Sequence, residues 1–540
     1  MPDHASLHAF DLTIFAGYVA LMVALGVWVA RRGQRTAKSY FLGNKTIPWY
    51  VVGASMVAAD ISSEHFIANV GGAYHYGVVL ATGSWNSWII YSLLIWVFLP
   101  YYVRTGLYTM PEFLERRYNS VCRYIFAVSL VIGYVAALIA GSLYAGGIAL
   151  ESIFGVNVIY GIPFFALMAG LYTIYGGLAS AAWTDFMQMV VLLGAGILVP
   201  VLALAHAGSL LPLVHQFPEK FQVFLPPTHE RFPFTGVFTG FLTVGIWYSC
   251  TSQHIVQRVL GAKNEWHARM GVVCAGFLHI VTPFFFILPG IAAFKLYPHL
   301  ARPDQAYLVL VEDLVPTGLK GLILAALAGA LMSTLSTVLN STSTLLTMDL
   351  YKKLVNPEMS EAQQVRFGRW SGSIALVAGV LIAYTYAQSA TPLFVKVQNV
   401  FFYIAPPFAV IFTLGILWKR ANQTAAVTTI VSGFVFTWLL DTWIFPKVSL
   451  LTPYNTYYHR ALLAWIFCMA TMVVVSLLTQ PPSPEQIKGV IWSPQYAALP
   501  PEEKKRYHGW KDFRIWWLLF VGIILTIYGC FLVFRIRHPW

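Results

Sequence analysis

The chain contains about fourteen apolar segments, most of them long enough to cross a lipid bilayer as an α-helix. They lie near residues 9–30, 47–70, 77–103, 122–151, 157–176, 184–206, 234–256, 268–296, 318–349, 367–388, 393–417, 422–445, 460–479 and 513–534. A crossing helix needs about 20 apolar residues. Only 10% of the 540 residues are charged, against about 25% in soluble domains. The sequence therefore predicts an all-α polytopic membrane protein, with residues 1–540 in a single membrane domain.

The composition argues against several other classes of protein. The net charge of +12 is explained by basic cytoplasmic loops and needs no nucleic-acid partner. The five cysteines are scattered without a CxxC pair, so neither a disulfide framework nor a zinc site is indicated. The motifs HExxH and GxSxG are absent from the sequence, and the two long loops near 207–232 and 480–512 are too small for a catalytic domain. We do not expect an enzyme.

The distribution of lysine and arginine predicts the orientation in the membrane. When the loops after segments 1, 3, 5, 7, 9, 11 and 13 are counted as cytoplasmic, they contain most of the 34 basic residues. Cytoplasmic loops carry an excess of lysine and arginine. We therefore expect a cell-membrane protein with both termini on the extracytoplasmic side.

Segment 2 carries the densest group of polar residues expected at membrane depth. Asp60, Ser62, Ser63, Glu64 and His65 follow one another within six positions. An uninterrupted lipid-facing helix would not carry them, because polar groups in hydrocarbon are costly. The pattern predicts a broken helix whose carbonyls and side chains bind a solute or an ion. The alternative is that Glu64 and His65 mark the wet end of the segment.

Segment 9 carries hydroxyl groups along one face. Ser333, Ser336, Thr337 and Asn340 follow i, i+3, i+4, i+7 spacing, so they share one side of a helix. Hydroxyl and carbonyl oxygens suit a weakly bound monovalent cation, and the scarcity of carboxylates argues against calcium. The alternative is helix–helix packing through small residues and cross-helix hydrogen bonds.

Five further polar residues lie on or beside apolar segments. Asp185 begins segment 6, where it could bind an ion or cap the helix N-terminus. The others, Gln253, His254, His279 and Gln398, are each more typical of a hydrogen-bonded core residue than of a ligand when taken singly. Together they indicate a polar route through the bundle.

Several short motifs occur in a fixed order between about residues 35 and 420. They are Gly53-Ala54-Ser55, Ala59-Asp60-Ile61-Ser62-Ser63-Glu64-His65-Phe66, Thr109-Met110-Pro111-Glu112-Phe113-Leu114-Glu115-Arg116-Arg117-Tyr118, Tyr175-Gly176-Gly177-Leu178, Ile246-Trp247-Tyr248, Gln257-Arg258, Leu339-Asn340-Ser341-Thr342, Ala405-Pro406-Pro407 and Trp418-Lys419-Arg420. In type and order they resemble the sodium/solute symporter family, and most closely the sodium/glucose cotransporters. The resemblance implies a sodium-coupled secondary active symporter that imports a small polar solute by alternating access.

The resemblance also implies a LeuT-type fold of two inverted five-helix repeats. Segments 2–6, residues 47–206, would form the first repeat, and segments 7–11, residues 234–417, the second. Residues 9–30 and 422–534 would form peripheral helices. Segments 2 and 7, the first helix of each repeat, would be broken near the middle of the membrane.

The coupling ion implied by the resemblance is sodium. Its principal site would use the carbonyl oxygens of Ala58, Ile61 and Ala330 and the hydroxyl oxygens of Ser333 and Thr334. Some family members hold a second sodium ion, and the pattern of that site is matched by Asp185, Ser336 and Thr337. The resemblance is compatible with either one or two sodium ions per transport cycle. Proton coupling through Asp185 or Asp60 is an alternative to sodium coupling.

Four residues match solute-contacting or gating positions of the sugar carriers. His65 and Gln398 match sugar-contacting positions, Tyr248 an aromatic inner gate and Phe394 an outer-gate aromatic. We also place Ser87 in this pocket.

Three positions in the same pocket depart from the family pattern. Asp60 replaces an asparagine, Ser84 a glutamate and His279 a lysine. These departures favour a sugar or polyol other than glucose or galactose, because a carboxylate at position 60 can accept hydrogen bonds from hydroxyl groups. The alternatives are a carboxylate, an amino acid or another small metabolite, including a cation paired with Asp60.

Overall fold

A computed structural model describes residues 8–31, 36–61, 65–300, 302–388 and 393–538. Residues 152–154, 304, 393–396 and 450 among them are described by their backbone alone. Regular structure in these ranges is helical, apart from one isolated bridge between Ile47 and Ala262. The prediction of an all-α protein is therefore confirmed.

The α-helices of six or more residues carry labels in chain order. The first eleven are α1 (Ala9–Arg31), α2 (Ala37–Leu42), α3 (Trp49–Asp60), α4 (Val70–Tyr76), α5 (Ser87–Leu93), α6 (Leu99–Arg104), α7 (Met110–Arg117), α8 (Ser120–Gly133), α9 (Ala140–Phe154), α10 (Val158–Ala207) and α11 (Leu210–Gln216). The others are α12 (Phe234–Gly245), α13 (Gln253–Leu260), α14 (Glu265–Leu296), α15 (Ala306–Leu314), α16 (Leu319–Thr344), α17 (Glu361–Ala387), α18 (Leu393–Leu417), α19 (Gln423–Leu439), α20 (Tyr457–Leu478), α21 (Pro501–Arg506) and α22 (Phe513–Arg537).

Eleven helical spans in the described ranges are long and apolar enough to cross a membrane. This is fewer than the predicted fourteen segments, and the helix geometry explains the difference. The 50-residue α10 would be about 75 Å long if it were straight, roughly twice the thickness of a bilayer. Its backbone leaves helical geometry at Gly177, with φ 58° and ψ −163°, between predicted segments 5 and 6. Segments 2 and 7 are divided into shorter helices.

Both divided segments contain an extended residue. Helix α3 ends at Asp60 and is followed by Ile61 with φ −84° and ψ 109°. Ser62, Ser63 and Glu64 lie outside the described residues, and a π-helical turn, His65–Asn69, leads into α4. Helix α12 continues through the π-helical turn Ile246–Thr251 and stops at Ser252, which has φ −76° and ψ 133°.

Helix α16 lies at the centre of the molecule. It packs against α1, α3, α10 and α17, and nearly every residue from Ile323 to Thr344 is buried. Its first turn is held by Asp11 of α1, whose Oδ1 accepts hydrogen bonds from the backbone N–H groups of Gly318 and Gly321, each at 2.8 Å. Because the first N–H groups of a helix lack partners of their own, this carboxylate anchors the start of α16.

Helix α3 also makes a close contact with α14. A Cβ atom at Gly53 would lie 2.7 Å from both the Gly271 carbonyl oxygen and the Cys274 Cβ. Only glycine therefore permits this approach of the two helices. The end of α3 is thereby held between α14 and α16.

Candidate functional site

A cavity of about 270 Å³ lies where the two divided segments meet. Its wall includes the end of α3, helix α5 and parts of α12, α14, α16, α18 and α20. Three π-helical turns, His65–Asn69, Tyr134–Ile139 and Ile246–Thr251, also contribute lining residues. Such turns are frequent at functional sites because they redirect side chains within a helix.

Seven of the eight predicted solute-binding residues line this one cavity. They are Asp60, His65, Ser84, Ser87, Tyr248, His279 and Gln398. The eighth, Phe394, belongs to α18, but its side chain lies outside the described residues. Residues that are up to 338 positions apart in the chain, Asp60 and Gln398, therefore face the same space. Their individual roles toward a solute remain predictions.

The most strongly polar part of the cavity is formed by Asp60 and His279. The nearest oxygen of Asp60 lies 3.6 Å from Nε2 of His279, and the Asp60 side chain is 31% exposed. Both ring nitrogens of His279 lack a hydrogen-bond partner in the described residues, and the ring packs edge-on against Tyr91 at 5.6 Å. No lysine or arginine occurs among the described lining residues. The cavity therefore offers one partly exposed carboxylate, beside a histidine whose buried ring nitrogens have no hydrogen-bond partner in the described residues.

Tyr248 forms a wall between the cavity and the break at Ser252. Its ring lies 4.7 Å from the ring of His254. The Tyr134 hydroxyl lies 2.6 Å from Ser252 Oγ and accepts a hydrogen bond from the His254 backbone N–H at 3.1 Å. His254 therefore lies behind Tyr248, in contact with the break.

The polar route predicted from four residues is only partly in the cavity. Gln398 and His279 line it, whereas Gln253 and His254 do not. The Gln253 side chain accepts a hydrogen bond from the backbone N–H of Met110 at 2.8 Å, at the start of α7. Gln253 thus joins α13 to the neighbouring helix.

Thr334 connects the cavity wall to the end of α3. Its side chain lines the cavity, and its hydroxyl donates to the carbonyl oxygens of Ala59 and Ala330, each at 3.2 Å. The last carbonyls of a helix lack intrahelical donors, so the end of α3 presents free oxygens at this point. Ala58 and Ile61, the predicted carbonyl ligands, flank Ala59 in the chain. Of the oxygens predicted for the principal sodium site, the Thr334 hydroxyl and the Ala330 carbonyl are therefore in contact with each other beside the end of α3. The ion-binding roles of all five residues remain predictions.

Ser333, the other predicted hydroxyl ligand, faces a second polar group centred on Asp185. The Asp185 carboxylate accepts hydrogen bonds from Ser55 at 2.6 Å, Ser333 at 2.8 Å, Ser336 at 3.3 Å and Thr337 at 3.5 Å. All these side chains are buried. We call Asp185, these four hydroxyl residues and Arg258 the Asp185 cluster.

The alternative that Asp185 caps a helix N-terminus is wrong. Asp185 lies eight positions after the interruption at Gly177, inside α10, and its side chain binds residues of α3 and α16. A capping side chain would instead accept from N–H groups of its own helix. The structure thus brings together all three residues predicted for a second sodium site, Asp185, Ser336 and Thr337.

Two members of the cluster, Ser55 and Arg258, were not predicted as site residues, and Arg258 is the charged one. Its Nη2 nitrogen lies 3.3 Å from Asp185 and donates to Thr337 Oγ1 at 2.5 Å, and the side chain is fully buried. Its Nε and NH1 groups have no partner in the described residues. A signal was present, because a cation between Val256 and Leu260 in an apolar segment requires a buried partner.

Other polar lining residues were also missed. They are Asn69, Tyr91, Ser142, Ser249, Tyr457 and Tyr458. Asn69 and Ser249 lie on the same π-helical turns as His65 and Tyr248, which were predicted, so their proximity could have been found. Tyr457 and Tyr458 begin α20, in the region expected to be peripheral, and no local pattern distinguishes them.

Comparisons with known sequences place these observations in a wider context. A model of the sodium:solute symporter family matches residues 40–433. The sodium/glucose cotransporter of Vibrio parahaemolyticus is 34% identical over 504 residues, which cover 88% of this chain and 91% of that protein. The sodium/myo-inositol cotransporter 2 of Oryctolagus cuniculus is 31% identical over 535 residues, which cover 90% of this chain and 79% of that protein.

A comparison with solved structures agrees with the sequence matches. The substrate-bound, outward-open state of a Na⁺-coupled sialic acid symporter is similar with a TM-score of 0.79 at 22% identity. The similarity covers 88% of this chain and 99% of that one. The two proteins therefore share a fold.

Proposed function

Because this chain belongs to the sodium:solute symporter family, we propose that its cavity binds a sugar or polyol and that sodium held beside Thr334 drives import of this solute. Membership of the family makes the chain a multi-pass membrane transporter with sodium as its coupling ion. What we propose beyond this is the solute class, the residues that bind solute and ion, and the arrangement in the membrane.

The main support for this proposal is the position of Thr334. It lines the same cavity as seven predicted solute-binding residues, and its hydroxyl contacts the Ala59 carbonyl at the end of α3. An ion bound by these oxygens would tie α3 to α16. The same α3 end carries Asp60 into the cavity. Ion and solute would then stabilise one arrangement of the two helices, and each would raise the affinity for the other.

The chemistry of the cavity favours a neutral polyhydroxyl solute. Its volume of about 270 Å³ lies just below the usual range of about 300–1,000 Å³ for small-molecule sites, which favours a small solute. Asp60 can accept hydrogen bonds from two neighbouring hydroxyl groups, and His279 and Gln398 can donate or accept. Relative to the pattern of the sugar carriers, the carboxylate is absent at position 84, where serine replaces glutamate, and present at position 60, where aspartate replaces asparagine. We therefore expect hydroxyl stereochemistry different from that of glucose or galactose.

A second candidate is a non-sugar solute that carries an amino group. Asp60 has no lysine or arginine among the described lining residues to balance its charge. A solute ammonium group would supply that charge directly. An anionic carboxylate solute, by contrast, would face Asp60 without a compensating cation.

We propose two sodium sites on adjacent faces of α16. The principal site would use the carbonyls of Ala58, Ile61 and Ala330 with the hydroxyls of Ser333 and Thr334. To join this site, the Ser333 hydroxyl would have to leave its 2.8 Å hydrogen bond to Asp185. These oxygens suit a hard monovalent ion.

The second site would use Asp185, Ser336 and Thr337. A sodium ion there would share the Asp185 carboxylate with the guanidinium of Arg258, which lies 3.3 Å away. Two like charges on one carboxylate repel each other, so binding of this ion would require Arg258 to move. We therefore propose that one sodium ion per cycle binds at the principal site and that the second site is filled only when Arg258 moves away from Asp185.

For the whole chain we propose a LeuT-type fold with about fourteen crossing segments in the cell membrane. Residues 47–206 and 234–417 would be inverted repeats, and residues 9–30 and 422–534 would be peripheral. The breaks after Asp60 and at Ser252, in the first helix of each repeat, support this division. Both termini would be extracytoplasmic, as the loop charges predict.

The test is solute uptake into liposomes that contain the purified protein. Labelled glucose, galactose, myo-inositol and glucosamine would be offered with an inward sodium gradient or an equal potassium gradient. We expect sodium-dependent accumulation of at least one sugar or polyol. Accumulation of glucosamine alone would favour the amino solute, and no sodium-dependent uptake of any of them would contradict the proposed solute class.

A further inference from the structure

A second, larger groove lies on the outside of the helix bundle, between the first half of α10 and helix α17. Its volume is about 730 Å³, and it is lined mainly by aliphatic side chains such as Leu167, Leu171, Ile174 and Leu376. Leu167 is 64% exposed and Leu171 48%. In a membrane protein, an exposed aliphatic groove on the outer surface faces the lipid chains.

Two arginines, Arg366 and Arg369, stand at one end of this groove. Neither forms an ion pair within the described residues. The Nε group of Arg369 is buried without a hydrogen-bond partner, and its guanidinium lies 5.4 Å from the centre of the Tyr175 ring. Two uncompensated cations at the end of an apolar groove are complementary to an anion that carries an apolar tail.

The two arginines lie near the first turns of α17, a helix that is long and apolar enough to cross a membrane. Arg366 and Arg369 lie five and eight positions after the first residue of α17, Glu361, or about 8–12 Å along the helix axis. Tyr175 and Trp370, which also line the groove, are 59% and 63% exposed. Tyrosine and tryptophan concentrate at membrane interfaces.

The groove ends on the side of the protein that carries the basic loops. Helix α2 packs on both α10 and α17 there, and its Tyr40 hydroxyl donates to the Ile174 carbonyl at 2.9 Å. Exposed Lys38 on α2 adds a further positive charge at this end. The nearby carboxylate of Glu361 accepts from the Ala37 backbone N–H at 3.3 Å, on the α2 side, and does not pair with the arginines.

We propose that this groove is a binding site for an anionic glycerophospholipid of the leaflet beside the basic loops. The phosphate would lie between Arg366 and Arg369, and one acyl chain would follow Leu171 and Leu167 along α10. Basic pockets between helices at this leaflet bind anionic head groups, and the cytoplasmic leaflet is rich in anionic lipid. The apolar length of the groove requires a tail, which distinguishes a lipid from a soluble phosphate.

The experiment measures lipid binding to the purified full-length protein in detergent by native mass spectrometry. The probes are phosphatidylglycerol and phosphatidylcholine with identical acyl chains, and glycerol 3-phosphate as the soluble head group. We expect tighter binding of phosphatidylglycerol than of phosphatidylcholine, and no displacement by glycerol 3-phosphate. Equal binding of the two lipids, or displacement by glycerol 3-phosphate at comparable concentration, would overturn the proposal.

Two variants separate the head-group contact from the tail contact. The double substitution Arg366→Gln with Arg369→Gln should weaken phosphatidylglycerol binding roughly thirty-fold. Ser373→Trp fills the groove while keeping both arginines, and it should also lower phosphatidylglycerol binding. Retained binding in both variants would place the lipid elsewhere.

The matched control removes two exposed basic residues from the same side of the membrane. Lys419→Gln with Lys488→Gln takes away the same charge outside the groove. Its phosphatidylglycerol affinity should stay within about twofold of wild type, because surface charges away from the site act only through screened attraction. An equal loss in this control would show that net charge, not the groove, attracts the lipid.

Discussion

The cavity and the Asp185 cluster lie on neighbouring faces of α16 and differ in how their polar groups are satisfied. In the cavity, Asp60 is 31% exposed, and neither His279 nitrogen has a hydrogen-bond partner in the described residues, although Nε2 lies 3.6 Å from Asp60. In the cluster, Asp185 is fully buried and accepts from four hydroxyls and a guanidinium. Adjacent residues, Thr334 and Ser333, point to the two sides because successive positions on a helix differ by about 100°.

This difference indicates a division of roles. Polar side chains that line a cavity and bind few protein groups can be substituted to change the solute that binds, with little effect on the stability of the protein. A buried ion pair cannot lose one member without leaving the other uncompensated. Changes in the cavity should therefore alter solute affinity, whereas changes in the cluster should alter the protein itself. The following substitutions test that division, from the largest expected effect to the smallest.

Asp185→Asn should have the largest effect. It leaves Arg258 as an unpaired buried charge, which costs about 3–5 kcal/mol, so thermal unfolding should begin at a clearly lower temperature. Adding Arg258→Gln should recover part of this loss. The control is Asp11→Asn, which keeps an amide oxygen for Gly318 and Gly321 and should change stability little. Unchanged unfolding of Asp185→Asn would show that the cluster is not a charge-compensated unit.

Asp60→Asn should act on the solute. Loss of a charge-assisted hydrogen bond costs about 1.5–3 kcal/mol, or roughly 10–150-fold in affinity. The half-saturation concentration of the solute identified by uptake should rise accordingly, while thermal stability stays near wild type. Sodium binding measured without solute should be unchanged. A large loss of stability together with unaltered solute affinity would contradict the role given to the cavity.

Thr334→Ala should act on sodium. Removing one neutral oxygen ligand costs about 1–1.5 kcal/mol, so the sodium concentration for half-maximal uptake should rise roughly tenfold. Thr334→Ser keeps the hydroxyl and should remain within about twofold of wild type. If serine and alanine are equally impaired, the methyl group and not the oxygen is what matters at this position.

Ser84→Ala should have the smallest effect. A single neutral hydroxyl in the cavity contributes about 0.5–1.5 kcal/mol, which corresponds to a twofold to twelvefold change in solute affinity. Competition between the transported solute and its epimers would measure the change. If Ser84→Ala abolishes uptake while the protein folds normally, the hydroxyl has a role beyond a contact with solute.

The sequence predicted most of the helices because their apolar runs are long and bounded by polar residues. Helix α1 was expected at 9–30 and is Ala9–Arg31, and α18 was expected at 393–417 and is Leu393–Leu417. The break in segment 2 was also evident, because Asp60 and its polar neighbours could not face lipid. The break at Ser252 also lies in a polar run, Thr251-Ser252-Gln253-His254, but it was predicted only from the family resemblance.

Which residues of the site form hydrogen bonds or ion pairs with each other was harder to predict than which residues belong to it. Asp185 and Ser333 were both identified, but their 2.8 Å hydrogen bond joins positions 148 apart in the chain. Local sequence patterns do not indicate which buried hydroxyl group forms a hydrogen bond with which carboxylate. Arg258 was not predicted for the same reason, because its ion-pair partner, Asp185, lies on a different helix.

The most direct test of the account is sodium binding in the absence of solute, because it separates Thr334, the proposed ion ligand, from Ser84, a proposed solute contact in the same cavity. Thermal stabilisation by sodium, with potassium as the control ion, would be titrated for wild type, Thr334→Ala and Ser84→Ala. We expect a roughly tenfold higher half-saturating sodium concentration for Thr334→Ala and a wild-type value for Ser84→Ala. Equal shifts in the two variants, or a wild-type value for Thr334→Ala, would contradict it.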